Sequence, residues 1–250
     1  MGSLVWRSLV IPYSSQKLIK SMLELLDQET TQIIWRTMRM TLTSTAISAI
    51  LGVAFGLFLE SINPTRPLPR FFKWLTVAIN RTLMGTPPVV VGLVVFLLFM
   101  RTGPFGAFRL LFTFEIMVIA QVLLITPIIS GIVYTAASRN GGRIRAFAHT
   151  MGASKWQTQM LIIRELANEI FFALITGFGR AMSEVGAIVM VGGNIRHQTR
   201  VMTTTIAMDV QRGFRDQAIQ LGIILMLIAF IIQIIADFLR RRERRADENF

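Results

Sequence analysis

The chain has 250 residues, of which 53% are hydrophobic and 16% charged, and its mean hydropathy is +0.57. A soluble domain of this length does not need so much apolar surface, so the composition predicts an integral membrane protein. The net charge of +12 then indicates membrane topology and lipid contacts rather than a nucleic-acid partner. The sequence contains no cysteine, which excludes a disulfide framework and a thiolate metal site within it.

Residues 1–33 are predicted to form an N-terminal arm. The segment Leu18–Leu26 is amphipathic and too short to cross a bilayer, so we expect a helix that lies in the membrane interface. The apolar run that begins at Leu4 ends at Arg7, so it does not make a clean signal peptide. Insertion therefore depends on the membrane spans that follow.

Five apolar segments between residues 34 and 239 are each long enough to cross the hydrocarbon core as a helix. They are Ile34–Leu59, Phe72–Met100, Leu111–Ala137, Glu165–Gly192 and Ala218–Leu239. The second is interrupted by Gly85-Thr-Pro-Pro88, which frees backbone groups in the membrane. The sequence therefore predicts an all-α transmembrane domain over 34–239 with one broken span.

Lysine and arginine are denser in the loops after the first and third spans and in the basic tail 240–250 than in the other loops. Positive loops remain in the cytoplasm, so we expect the N-terminus outside and the tail inside, against anionic lipid. The sequence shows no internal repeat, which argues against a transporter built from inverted repeats within one chain.

A helical elbow is predicted over residues 139–164, in the largest cytoplasmic loop. Ile144, Phe147, Ala148 and Met151 follow the i, i+3, i+4, i+7 spacing of one face of a two-turn helix. This face could rest on the membrane or dock onto another protein. An aromatic residue at its centre, and no remaining segment to cover it, favour docking.

The end of this short helix carries its own signals. Gly152 suits the left-handed residue that stops a helix. Ser154 followed by Gln157 forms a capping box that opens the next helix. The sequence thus specifies a helix, a sharp turn and a second helix.

The run Ala146-Phe-Ala-His-Thr-Met-Gly-Ala153 resembles the EAA loop of ABC-importer permease subunits. It departs from the family pattern, because Ala146 stands where the family has Glu and Phe147 where it has the first Ala. Downstream, Gly177–Ala187 resembles molybdate-type permeases, and Val191–Arg196 with Thr199–Thr204 is similar to the tungstate-type branch. The resemblance is to a type I ABC-importer permease of the molybdate/tungstate family, nearest the tungstate type.

This resemblance implies a fold of five transmembrane helices plus the interfacial N-terminal helix. It implies a homodimer in the plasma membrane of a prokaryote, two cytoplasmic ATPase subunits and an extracytoplasmic oxyanion-binding protein. ATP and magnesium would be bound by the ATPase, with no cofactor in this chain. The residues implied in ATPase coupling are Ile144, Phe147, Ala148, Met151, Gly152 and Ala153.

Two charged residues lie in the middle of the fourth apolar segment. Arg180 and Glu184 are four residues apart and would share one helix face. A charge at that depth costs about 2.5–3.5 kcal/mol on insertion scales. The pair could line a translocation path, with Ser183 and Asn194 as further polar contacts, or it could be a structural clasp between helices.

The segment after this span is polar and lies outside in the expected topology. Arg196, Arg200 and Thr203 could receive a tetrahedral dianion or dock the binding protein. The alternative is a re-entrant segment whose charges are solvated.

An enzymatic function is disfavoured, because the sequence has two histidines on opposite predicted sides and no phosphate-binding loop. We therefore expect a transport subunit without its own ATPase site. The alternatives are a motor-independent anion channel or carrier, and an ABC permease for another small substrate.

Overall fold

The computed structural model describes residues 28–62 and 67–247, with side chains to residue 238. The predicted interfacial helix Leu18–Leu26 lies outside the described residues. The helices are α1 (Gln28–Ser61), α2 (Pro67–Met84), α3 (Pro88–Phe99), α4 (Phe114–Thr150), α5 (Lys155–Glu165), α6 (Ala167–Met182), α7 (Gly186–Gly192), α8 (Met202–Arg212) and α9 (Arg215–Asp247). A short 3-10 turn, Gly106–Phe108, precedes α4.

All five predicted spans correspond to helices, although two of them are bent. The helices α1 and α4, and the Arg215–Phe238 part of α9, are long and apolar enough to cross a membrane. The pair α2 and α3 is bent by 104°, and the pair α6 and α7 by 58°, so there are up to five spans if each pair counts as one. The interruption Gly85-Thr-Pro-Pro88 predicted the first bend, whereas the second bend was not predicted.

Helices α1 and α4 run parallel and pack closely along a stripe of small residues. The buried stripe consists of Thr37, Thr41, Ser44, Ser48, Gly52 and Gly56. A Cβ atom at Gly52 would lie 2.8 Å from the side chain of Ile129, and one at Gly56 would lie 2.8 Å from the carbonyl oxygen of Ser130. Larger residues here would force the helices apart, so the small residues set the separation.

Two apolar clusters surround α4, one toward each end. The first includes Met40, Ile116, Met117, Ile188 and Val201. The second includes Leu57, Ile125, Ile129, Ile162 and Ala173. The middle of α4 therefore lies at the centre of the packed protein.

The molecule has two polar ends, which correspond to the two sets of loops distinguished by charge. At one end, Arg145 donates to both carboxylate oxygens of Glu60, with a distance of 2.9 Å from NH1 to Oε1. At the other end, Glu29 pairs with Arg196 and Arg200. We call the first, which carries the predicted elbow, the coupling end, and the second the mouth end.

The predicted two-turn helix is not a separate element. Helix α4 continues from the membrane span to Thr150 without a break. At Gly141 a Cβ atom would lie 2.9 Å from the Glu60 carboxylate, so glycine allows α1 to approach and Arg145 to hold it. Likewise, α9 continues to Asp247, beyond the predicted span end at Leu239, so the backbone of most of the predicted tail is helical.

Candidate translocation path and coupling surface

The charged pair of the fourth span lies at a break in the helix and not inside it. Helix α6 ends at Met182, α7 begins at Gly186, and the two axes differ by 58°. The expectation of one continuous helix through Arg180 and Glu184 was therefore wrong. Gly186 allows the new direction, because a Cβ atom there would lie 2.6 Å from the Val89 side chain of α3.

Side chains from distant parts of the chain donate hydrogen bonds to backbone carbonyl groups at the break. The Nε2 of Gln121 donates to the carbonyl oxygen of Ala181 at 2.9 Å, and its Oε1 accepts from the Ser44 hydroxyl at 2.6 Å. The hydroxyl of Thr203 donates to the carbonyl oxygen of Glu184 at 2.9 Å. Because unpaired backbone groups are costly in a membrane, these bonds stabilise the break.

Glu184 is buried and serves mainly to hold the start of α7. Its Oε1 accepts from the backbone N–H of Ala187 at 3.2 Å, whereas its Oε2 lies 3.9 Å from NH2 of Arg180. The Arg180 side chain is 41% exposed. The ion pair is thus loose, and the Arg180 guanidinium remains accessible to another anion.

The two further residues predicted for the path have different positions. Ser183 is exposed beside Arg180, and its hydroxyl donates to the Arg180 carbonyl oxygen at 3.1 Å. Asn194 is half-buried in the turn after α7, where its Oδ1 accepts from the Thr204 hydroxyl at 2.9 Å. The structure therefore brings Ser183 to Arg180, while Asn194 fastens α7 to α8.

At the mouth end, Arg196 and Arg200 converge on one carboxylate at the start of α1. Glu29 Oε1 accepts from Arg196 Nε at 2.9 Å and from Arg200 NH1 at 3.1 Å. Sequence reasoning missed Glu29, because it is more than 160 residues from its partners and lies in the arm before the first predicted span. Thr203, which was predicted on this surface, is buried, since its hydroxyl supports the break.

An open cavity of about 540 Å³ adjoins the Glu29 cluster. Its polar lining includes Glu29, Arg196, Arg200, Asp209, Arg212 and Gln217. Burial raises the pKa of Asp209, although the charges of Arg200 and Arg212 oppose that shift. Three arginines against two carboxylates give the cavity an excess of positive charge, which suits an anion.

At the coupling end, the turn has the predicted geometry. Gly152 has φ +68°, which is the left-handed conformation expected of a helix stop. The backbone N–H of Ala153 donates to the carbonyl oxygen of Ala148 at 3.0 Å and closes the turn. Ser154 and Gln157 form both hydrogen bonds of the predicted capping box at the start of α5.

The predicted apolar face of the elbow is divided between the interior and the surface. Ala148 is buried and Ile144 is half-buried against the second apolar cluster, because this part of α4 packs on the neighbouring helices. Phe147 is 62% exposed, and Met151 and Trp156 are more exposed still. We call the three exposed large apolar side chains of the elbow, Phe147, Met151 and Trp156, the elbow surface. Of these, Trp156 was not predicted.

The model of the family described as "Binding-protein-dependent transport system inner membrane component" matches residues 52–245. The chain belongs to this family. Its helices are therefore those of a permease, the membrane component of a transport system that depends on a binding protein. This assignment agrees with the predicted all-α fold and removes the basis for a carrier that works without partners.

Relatives and a solved structure extend this assignment. The chain is 42% identical to the tungstate uptake system permease protein TupB of Peptoclostridium acidaminophilum, over 82% of this chain and 88% of the relative. It is 30% identical to TupB of Campylobacter jejuni, over 70% and 71%. A chain of the crystal structure of a bacterial alginate ABC transporter has a TM-score of 0.74 at 16% identity, covering 94% of this chain and 90% of that one, and so shares its fold.

We expect Gln121→Leu to destabilise the protein. The change removes the bonds of Gln121 to the Ser44 hydroxyl and the Ala181 carbonyl, and leaves these groups with longer local partners, the Thr41 carbonyl at 3.1 Å and the Glu184 N–H at 3.3 Å. Loss of each buried hydrogen bond costs about 0.5–1.5 kcal/mol. The melting temperature of the purified protein in detergent should fall. Gln233→Leu, at an exposed position of α9, is the matched control and should leave the melting temperature nearly unchanged. Equal melting temperatures for the two variants would contradict the role of Gln121.

Proposed function

We propose that this chain is the permease subunit of an ATP-driven importer for a tetrahedral oxyanion, with tungstate as its substrate. The observation that supports tungstate as the substrate is the 42% identity to a tungstate uptake permease over most of both chains. The positive cavity at the mouth end supports an anionic substrate. Molybdate has the same shape and charge, so competition between the two anions is part of the test.

The proposed assembly contains two copies of this chain, two ATPase subunits and an extracytoplasmic binding protein. The exposed guanidinium of Arg180 in a membrane-spanning pair supports a second copy, because a charge at that depth needs a polar path or a partner. A two-fold axis would place two such surfaces opposite each other. ATP and magnesium belong to the ATPase, since the sequence has no phosphate-binding loop, and we propose no cofactor in this chain.

The elbow surface is the proposed contact with the ATPase. Large apolar side chains at its centre have the character of interface anchors. The turn at Gly152 and the bidentate Arg145–Glu60 pair hold this surface against the membrane helices. A displacement of the elbow by the ATPase would therefore be transmitted directly to α1 and α4.

The proposed path runs from the mouth end, where the anion arrives at Arg196 and Arg200, past Arg180 and Ser183. The loosely paired guanidinium of Arg180 would face the anion in the membrane, which suits a conduit because tight binding would delay release. The mouth end would face the outside and the coupling end the cytoplasm of a prokaryotic cell, with the tail at the inner lipid surface. The charge distribution of the loops supports this orientation.

The function is tested by tungstate uptake into proteoliposomes that contain the permease, its ATPase and its binding protein. We expect uptake that requires ATP and is competed by molybdate. Phe147→Ala should abolish it, because loss of a central interface anchor costs about 2 kcal/mol or more, roughly a thirtyfold weaker ATPase contact.

Phe108→Ala is the matched control, since Phe108 is 67% exposed but lies near the mouth end. Both variants should remain folded, and the control should retain uptake and ATPase binding. If Phe147→Ala assembles with the ATPase and transports like the control, the elbow surface is not the docking site. Uptake that is independent of ATP would refute the proposed function itself.

The orientation is tested by cysteine labelling, for which the cysteine-free sequence is suited. Gln198→Cys and Lys155→Cys place single thiols at exposed positions of the mouth and coupling ends. A membrane-impermeant maleimide added to intact spheroplasts should label only the Gln198→Cys variant, and both variants after lysis. Labelling of the Lys155→Cys variant alone in intact spheroplasts would reverse the orientation.

The path is tested at Arg180. We expect Arg180→Ala to reduce ATP-driven uptake roughly ten- to 150-fold, because a charge-assisted contact to the anion contributes roughly 1.5–3 kcal/mol. The melting temperature should change little, since Arg180 and Glu184 are 3.9 Å apart. Arg180→Lys retains the charge and should transport better than Arg180→Ala. Uptake that falls only in proportion to stability would identify the pair as a structural clasp.

A further inference from the structure

Glu29 lies between two arginines, Arg196 and Arg200, at the mouth end. Its carboxylate accepts hydrogen bonds from Arg196 and Arg200 at 2.9 to 3.1 Å. The Arg200 side chain is only 15% exposed, and its Nε is buried without a hydrogen-bond partner. Two guanidinium groups therefore converge on one small anionic group, in the arrangement that an oxyanion would require.

We propose that Arg196 and Arg200 form a binding site for a tetrahedral dianion, and that Glu29 fills this site as an internal substitute when no anion is present. The inference rests on the proposed function and adds a residue and a mechanism to it. The carboxylate neutralises one of the two positive charges, whereas an incoming dianion would neutralise both. The dianion and the carboxylate repel each other, so they cannot occupy the site together.

Exchange of the two anions has a structural consequence. The Glu29 pairs join the first turn of α1 to the segment between α7 and α8. When a dianion takes the guanidinium groups, this connection opens and the start of α1 is released. Binding of the substrate at this site would thus be coupled to a movement of α1. This helix has 34 residues, and its other end is held by the pair of Glu60 with Arg145.

The test uses the purified permease–ATPase complex in nanodiscs without the binding protein, with radiolabelled tungstate as the probe. Glu29→Gln removes the competing charge, so tungstate should bind roughly two- to fivefold more tightly than to the wild type, as expected for a partly exposed ion pair. Arg200→Ala should weaken binding. Glu115→Gln is the matched control, since it removes a carboxylate from the first turn of α4, also near the mouth end.

A second measurement separates anion competition from a purely structural role. Glu29→Gln should lower the melting temperature in the absence of tungstate, because the connection between α1 and the α7–α8 segment is lost. Tungstate should then raise the melting temperature more in this variant than in the wild type, because it replaces the missing carboxylate. A carboxylate that only holds the fold together would not be replaced by a free anion.

The proposal is overturned if Glu29→Gln binds tungstate no more tightly than Glu115→Gln, or if tungstate does not restore its melting temperature. Either result with intact ATP-driven tungstate uptake by the wild type leaves the proposed function in place. Conversely, tighter binding and thermal rescue in Glu29→Gln, without ATP-driven uptake by the wild type, would support the anion site and refute the function.

Discussion

The hydrogen bonds of Gln121 are the interaction on which the arrangement of the membrane helices depends. They join α1, α4 and the end of α6 through one buried amide. A break in a membrane helix persists only where its backbone groups find partners, and the Ala181 carbonyl accepts from Gln121 of α4 at 2.9 Å as well as from the backbone N–H of Glu184 at 3.3 Å. Ser44 reaches the same amide because the small residues of α1 allow it to pack closely on α4. The position of Arg180 therefore follows from the packing of two other helices.

Helix α1 connects the two ends of the molecule. It spans about 51 Å at 1.5 Å per residue, and each end is fastened by an ion pair, Glu29 at the mouth end and Glu60 at the coupling end. Between these pairs, its small residues pack on α4. If either end of α1 is displaced, the helix must slide along α4 or one of the ion pairs must break. Helix α1 is therefore suited to link the elbow to the mouth end.

Sequence reasoning was accurate where the signal is local. Hydropathy predicted the five spans, and the residues Gly152 and Ser154 predicted the turn at the coupling end. It failed where the decisive contact is distant. The bend after Met182 depends on Gln121 and Thr203, and the paired state of the mouth arginines depends on Glu29. The stripe from Thr37 to Gly56 is a local pattern that could have predicted the packing of α1.

The two cationic positions differ in a way that suits directional transport. At the mouth, two guanidinium groups lie within about 3 Å of one carboxylate, whereas Arg180 in the membrane stands 3.9 Å from Glu184. An anion would thus be held by two arginines where it arrives and by one where it crosses. Because Glu184 is fixed by the backbone of α7, it stays near Arg180 and repels the anion. Under the proposed function, binding weakens inward, so the anion is captured at the mouth and not retained in the path.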